Sequence, residues 1–249
     1  MKDISVSFAT TALIQVLNIA TGLLAARLLL PEGRGELAAI MLWPGIIAEL
    51  GIIGLSDALL YRAATRAASP RELFAALATL TLVLSVVLIA VGLMVLPHAL
   101  ADDRPEIHVV GTYYLCAYVP TYFAALFLAT IFQGHLDLMA WNAIRVLVPI
   151  GYLIGILTAM ALGHGSIEGF AAANIAAHLL SVVAGLYLAG RAGWVGFVAR
   201  RETLKGLIAY GIKVHVGEML NTARRRLDQA LVALFLPRSE EHTSELQSH

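Results

Sequence analysis

From Leu207 to Pro237 the chain reads LIAYGIKVHVGEMLNTARRRLDQALVALFLP. The stretch is long enough to cross a bilayer, yet it carries Lys213, His215, Glu218, Arg224, Arg225, Arg226 and Asp228. On a helix, Glu218, Asn221, Arg225 and Asp228 fall three or four residues apart and share one face. Arg224 is placed to pair with Asp228 one turn further on. A charge at the centre of a membrane helix costs about 2.5–3.5 kcal/mol on insertion scales, so such groups persist where they meet water or a partner. Guanidinium forks hold phosphate and carboxylate through paired, charge-assisted hydrogen bonds. The chemistry on offer is therefore anion binding. Three adjacent arginines point in three directions, so only one or two can face a single cavity. The others must snorkel to an interface or pair.

Further polar groups lie in apolar surroundings. Gln15 and Asn18 are three residues apart, placed to line a cavity or to bond a neighbouring helix. Arg27 closes the first apolar stretch. Glu49 and Asp57 lie within or at the end of the second, where a carboxylate can take up a proton or Na⁺. For Asp57 the competing role is an ion pair with Arg62 or Arg66. Asn142 with Arg145, and Asn174 with His178, are spaced as i,i+3 and i,i+4 pairs, each making one polar helix face. No metal site is expected, because His178 has no carboxylate or Cys at ligand spacing. No phosphate-binding P-loop and no cofactor motif are present. The single cysteine, Cys116, sits in an apolar run and is expected to pack there.

The elements that must position these groups are membrane spans. Hydrophobic residues make up 59% of the chain and charged residues 14%, with mean hydropathy +0.79. Soluble domains are about 45–50% apolar and about 25% charged. The formal net charge is zero, which points away from nucleic acid. A helix needs roughly 20 apolar residues to cross about 30 Å of hydrocarbon. Six stretches qualify, near residues 5–30, 37–61, 74–96, 109–132, 141–162 and 167–188. The gaps are too short for a soluble domain. Pro44, Pro120 and Pro149 fall inside the second, fourth and fifth spans, where a kink is tolerated. Lys2, Arg62, Arg66, Arg71, Arg191, Arg200, Arg201 and Lys205 fall on one side of the membrane. Arg34 and Arg104, with Arg27 if it snorkels, fall on the other. That asymmetry predicts a cytoplasmic N-terminus.

Four segments carry a resemblance. AARLLLPEGRGELAAI, from Ala25 to Ile40, is similar to the junction of helices one and two in bacterial polysaccharide exporters, with Leu30 where those usually have Gly. ELGIIGLSDALLYRAA resembles their Gly-rich end of helix two and the basic loop after it. FQGHLDLMAWNAIRVLVPIGYLIG resembles their hairpin of helices four and five, and the charged stretch from Leu207 resembles helix seven. The chain thus resembles an oligosaccharide flippase of the multidrug/oligosaccharidyl-lipid/polysaccharide exporter superfamily. The resemblance implies an all-α polytopic membrane protein: the six-helix N-terminal lobe of a two-lobe transporter plus a seventh helix. The expected boundaries are a lobe over 1–190, a basic cytoplasmic linker over 191–205 and the start of the second lobe over 206–237.

The implied activity is flipping of an undecaprenyl-diphosphate-linked oligosaccharide from the cytoplasmic to the periplasmic leaflet of the bacterial inner membrane, without enzymatic chemistry. Its implied partners are the lipid-linked oligosaccharide, the bilayer and the polysaccharide polymerase machinery. Arg224, Arg225, Arg226, Lys213, Arg27 and Asn18 are the expected substrate-binding residues. Glu49, Asp57 and Asp228 are the expected ion-coupling residues. The alternatives are an ion-coupled multidrug exporter of the same superfamily and a membrane oligosaccharide ligase or polymerase. Basic groups favour an anionic cargo over a cationic drug. An enzyme of that kind needs a larger outer loop than PHALADDRPEIH.

The final residues, RSEEHTSELQSH over 238–249, match one reading frame of a common short-read sequencing adapter and are expected to be non-native. On that expectation the fragment alone does not transport, because alternating access needs two bundles around one site. Resequencing the genomic locus across codon 237 from intact DNA should show the frame continuing into further apolar helices. A genome that encodes RSEEHTSELQSH and a stop would overturn the expectation.

Overall fold

A computed structural model describes residues 2–100 and 104–217. They form helices α1 (Lys2–Leu28), α2 (Leu30–Gly51), α3 (Leu55–Ala64), α4 (Pro70–Ala99), α5 (Pro105–Gly134), α6 (Leu138–Ala161) and α7 (Ile167–Arg191), then α8 over residues 201–217. No strand occurs among the described residues. Hydrocarbon offers the backbone no water, so each span must satisfy its own N–H and C=O groups, and a helix does so within one segment. The starts are written locally. Pro31, Pro70 and Pro105 occupy the first turns of α2, α4 and α5, where the missing N–H costs nothing. Ser69 and Glu72 form a reciprocal capping box on α4. Asp137 and Ser166 cap α6 and α7 through the backbone N–H groups of Ala140 and Gly169.

Five helices are long and apolar enough to cross a membrane: α1 over Ser5–Leu28, α4, α5, α6 and α7. The second expected span departs from a single rod. It is α2 and α3, bent by 52° at a short break. Ile53 (φ 47°) and Gly54 (φ 64°) both take the left-handed conformation, which no α-helix continues through. The pair still passes as one broken span. With it the chain is a multi-pass membrane protein, all-helical in its regular structure among the described residues. Pro44, Pro120 and Pro149 lie inside α2, α5 and α6, as expected of their spans, and Pro97 lies inside the last turn of α4.

Helix α5 is the centre of the packing. It touches α2, α3, α4, α6 and α7, and 56% of its most apolar window is buried, against 11% for the peripheral α1. Its far half, through Phe123, Phe127 and Phe132, joins a large core with α3 and the start of α4. Its near half, through Ile107 and Tyr114, joins a smaller core with Ile40, Leu96 and Phe170. Tyr118 packs against both cores. The outward faces are apolar, as lipid requires, with Phe8 and Leu23 on α1 and Leu82, Val86 and Met94 on α4 all exposed. Cys116 is exposed on α5, not packed inside as its apolar neighbours suggested.

Polar contacts gather at the two ends of the bundle. At one, Arg104 bonds Glu32 and Glu36. At the other, the Arg71 Nε donates to the Gly193 carbonyl at 2.8 Å, Arg200 pairs with Glu72 at 3.0 Å, and Trp194 lies against Phe132 and His135 with ring centroids at 4.7 Å. The non-helical stretch after α7 is therefore clasped onto the bundle. Helix α8 begins at residue 201 and docks at once. Leu207 is fully buried in the larger core, and Tyr210 stacks on Tyr61 at 4.7 Å.

The crossing of α8 over the α2–α3 break depends on Gly54. Its φ is positive, and a Cβ there would collide with the Gly211 carbonyl oxygen. Gly54→Ala therefore forces a left-handed Ala, worth about 1–2 kcal/mol, and also pushes α8 away. Gly45, within α2, has open space around it. Gly45→Ala should gain up to about 1 kcal/mol of helix propensity. Thermal unfolding in detergent should show a lower midpoint for Gly54→Ala and an unchanged or higher one for Gly45→Ala. Equal midpoints would refute the close crossing.

Candidate functional site

Four helices, α1, α5, α6 and α7, enclose a cleft of about 450 Å³. Aliphatic side chains, Ile14, Leu126 and Val148, are interspersed in its lining with polar ones, Asn18 from α1, Gln133 from α5, Arg145 from α6, and His178 from α7. Each polar group sits on a regular span, so the helix pitch alone sets where it points. Asn18 lines the cleft, as one of its two expected roles required.

Arg145 is the one charged side chain in the lining among the described residues. Its guanidinium lies over the Trp141 ring, one turn earlier, with its carbon 4.3 Å from the ring centroid. A cation over an indole face is attracted by the ring quadrupole. The stack holds the side chain in place. Its Nη1 is buried and has no hydrogen-bond partner among the described residues, and no described carboxylate pairs with it. Snorkelling would put that nitrogen in water, which its burial contradicts. His178 is 9% exposed, and its Nδ1 likewise lacks a partner among the described residues. Ser181, in contrast, is already satisfied: its hydroxyl donates to the Ile144 carbonyl at 2.8 Å.

The wall behind His178 is a ladder of tyrosines on α5. Tyr114, Tyr118 and Tyr122 recur every four residues and stack at 5.2 and 5.4 Å. The His178 ring meets Tyr118 edge-on at 5.2 Å and Tyr122 at 6.2 Å. The Tyr114 hydroxyl donates to Asn174 Oδ1 at 2.8 Å. The Tyr122 hydroxyl donates to Glu49 Oε2 at 3.0 Å. Tyr122 thus separates the first cleft from a second crevice, of about 520 Å³, between α2 and α5. Glu49 opens into that crevice beside Tyr118 and Met41. The bundle therefore keeps a guanidinium and a carboxylate in separate cavities with a tyrosine ring between them.

The expected site residues disperse. Arg224, Arg225, Arg226 and Asp228 lie outside the described residues, as does the tail over 238–249. Lys213 is exposed on α8 and Arg27 is exposed in the last turn of α1, and neither lines the cleft. Asp57 is exposed in the first turn of α3, with no ion pair to Arg62 or Arg66 among the described residues. Of the polar faces read from spacing, Asn142 turns away from the cleft: its Nδ2 donates to Ser7 Oγ on α1 at 2.9 Å and ties the two helices together. Arg145 and His178 turn into it. The tyrosine ladder was not anticipated, although Y-x3-Y-x3-Y on a helix is a one-face pattern that spacing reveals. No group of three or more His, Cys, Asp or Glu able to hold a metal occurs among the described residues.

A family model described as polysaccharide biosynthesis protein matches residues 1–240. No curated protein matches the chain, and no solved structure does. The family match runs through every described helix and agrees with a multi-pass bundle holding an amphiphilic cleft. This chain belongs to the polysaccharide biosynthesis protein family, with a role in making or exporting polysaccharide.

Proposed function

We propose that the protein flips an undecaprenyl-diphosphate-linked oligosaccharide from the cytoplasmic to the periplasmic leaflet of the bacterial inner membrane. The observation that carries this reading is the cleft itself. It lies among membrane spans, and its lining mixes aliphatic with polar side chains. A cargo with a polar glycan, an anionic diphosphate and a lipid tail needs such a surface. The glycan meets amides and hydroxyls while the tail stays in hydrocarbon. Asn18 is the glycan-facing residue on this reading. Lys213, Arg27 and the arginines Arg224, Arg225 and Arg226 are the further substrate-binding candidates on this reading, with Lys213 and Arg27 outside the cleft lining. The step is transport with no covalent chemistry, and the product passes to polysaccharide polymerase machinery. The basic residues at the end with the N-terminus support a cytoplasmic N-terminus.

Glu49 supplies the coupling cation site on this reading. It is a carboxylate in a span, beside two tyrosine rings, separated from the cargo cleft by one residue, Tyr122. Asp57 and Asp228 are the other candidates, and the position of Asp57 outside both cavities ranks it below Glu49. The same crevice is the feature that favours the multidrug alternative, because a carboxylate with aromatic neighbours also suits an organic cation.

Two measurements test the reading. Deleting the gene should remove surface polysaccharide and leave lipid-linked repeat units inaccessible from the periplasm. Unchanged surface polysaccharide in the deletion strain would reject the flippase. In vesicles holding the full-length protein and a fluorescent isoprenyl-diphosphate disaccharide, an imposed pH or Na⁺ gradient should accelerate flipping. Glu49→Gln should abolish that acceleration, whereas Asp57→Asn should keep it. A Glu49→Gln variant that still answers the gradient removes Glu49 from coupling.

A further inference from the structure

We infer that Arg145 and His178 form an anion subsite in the α1/α5/α6/α7 cleft, taking the diphosphate that joins lipid to glycan. The assignment of the ligand rests on the transport reading above, while the existence of an anion site rests on the geometry alone. Arg145 carries a full charge within a span and has no described counter-ion. An uncompensated charge there is among the most costly features a membrane helix can hold. The protein does not let it escape: Trp141 clamps the guanidinium face, and Nη1 is sealed from solvent. With Nη1 enclosed, the in-plane N–H groups of Nε and Nη2 are the donors left to a ligand, and two such donors grip a phosphate with paired bonds. His178 adds a second donor or acceptor. Its ring is fixed edge-on by Tyr118 and Tyr122, is nine-tenths buried, and leaves Nδ1 unbonded among the described residues. Two immobilised polar side chains from different helices thus line one cavity whose described walls contain no carboxylate.

Charge decides the ligand class. A neutral sugar would leave the guanidinium uncompensated, and a cation would be repelled. A phosphate or diphosphate supplies both the counter-charge and the missing acceptors. Arg145 lies seven residues into α6, about 10 Å from the helix start at 1.5 Å per residue. That is a depth at which a headgroup phosphate can reach it without dragging the isoprenoid tail out of hydrocarbon.

The experiment is equilibrium binding to the purified full chain in neutral detergent, by calorimetry, with farnesyl diphosphate, inorganic pyrophosphate and farnesol as probes. Farnesyl diphosphate should bind at least about tenfold tighter than farnesol, with pyrophosphate competing. Arg145→Gln should erase most of that discrimination and leave farnesol binding unchanged. Arg145→Lys keeps the charge without the fork, so it should fall between. His178→Gln should weaken farnesyl diphosphate several-fold. Placement has its own readout, which does not depend on an Arg145 variant folding: the diphosphate should alter Trp fluorescence in the wild type, and Trp141→Phe should remove that change. Wild-type-like binding by a folded Arg145→Gln, no preference for diphosphate over farnesol, or a fluorescence change that survives Trp141→Phe would each overturn the subsite. If these variants bind like wild type while the deletion strain still loses surface polysaccharide, the subsite fails and the flippase stands. If diphosphate binding depends on Arg145 but the deletion strain keeps its polysaccharide, the flippase fails and the anion site stands.

Discussion

Hydrocarbon offers no hydrogen bonds, and a polar group placed in a membrane span must meet a partner in the protein, a water-lined cavity or a ligand. Helix α5 shows how the bundle meets that demand. It is packed by five other helices, and its tyrosine hydroxyls reach out of the ladder to specific acceptors, Asn174 on α7 and Glu49 on α2. Threonines along the spans fold back onto the carbonyl of the preceding turn, as Thr121 and Thr130 do on α5. Among the described residues the buried side-chain atoms left unmatched are on Thr81, Ser85, His135, Asn142, Arg145 and His178, and the last two residues line the same cleft.

The same economy explains the asymmetry between the two cavities. A carboxylate and a guanidinium in one membrane cavity would neutralise each other and leave nothing for a ligand. Tyr122 keeps them apart. Its hydroxyl bonds Glu49 on one side, and its ring walls the Arg145 cleft on the other. Glu49 in turn sits within the last turn of α2, just before the break at Ile53 and Gly54. Helix α8 crosses at that break, with Gly211 against Gly54 and Tyr210 on Tyr61. The kink, the carboxylate and the seat of α8 thus share one short region of the fold.

Much of this was legible from residues alone. Leu, Val, Ala and Ile runs of membrane length with Pro and Ser/Asp starts are local signals, and α4, α5, α6 and α7 begin and end close to where those signals lie. The break in the second span was harder to see. GIIG looks as apolar as its neighbours, and only the left-handed backbone at Ile53 and Gly54 shows that the helix stops. The site was legible in part. Spacing put Asn142 with Arg145 and Asn174 with His178, but it could not say that the Asn142 Nδ2 would donate to Ser7 or that the Asn174 Oδ1 would accept from Tyr114.

By itself, then, the sequence determined that the chain is a helical membrane bundle, where most spans lie, and which few polar residues they contain. These follow from composition and from periodicities of three to four residues, which local physics enforces. Tertiary structure alone decided which of those polar residues are spent on packing and which stay unsatisfied. A hydrogen bond or a stacked ring joins residues that are 60, 73 or 135 positions apart, and nothing in the local chain records which partner is near. Arg145 and Lys213 are both basic residues within apolar stretches. Only the arrangement of α1, α5, α6 and α7 seals one onto a tryptophan inside a cleft and leaves the other on an exposed face.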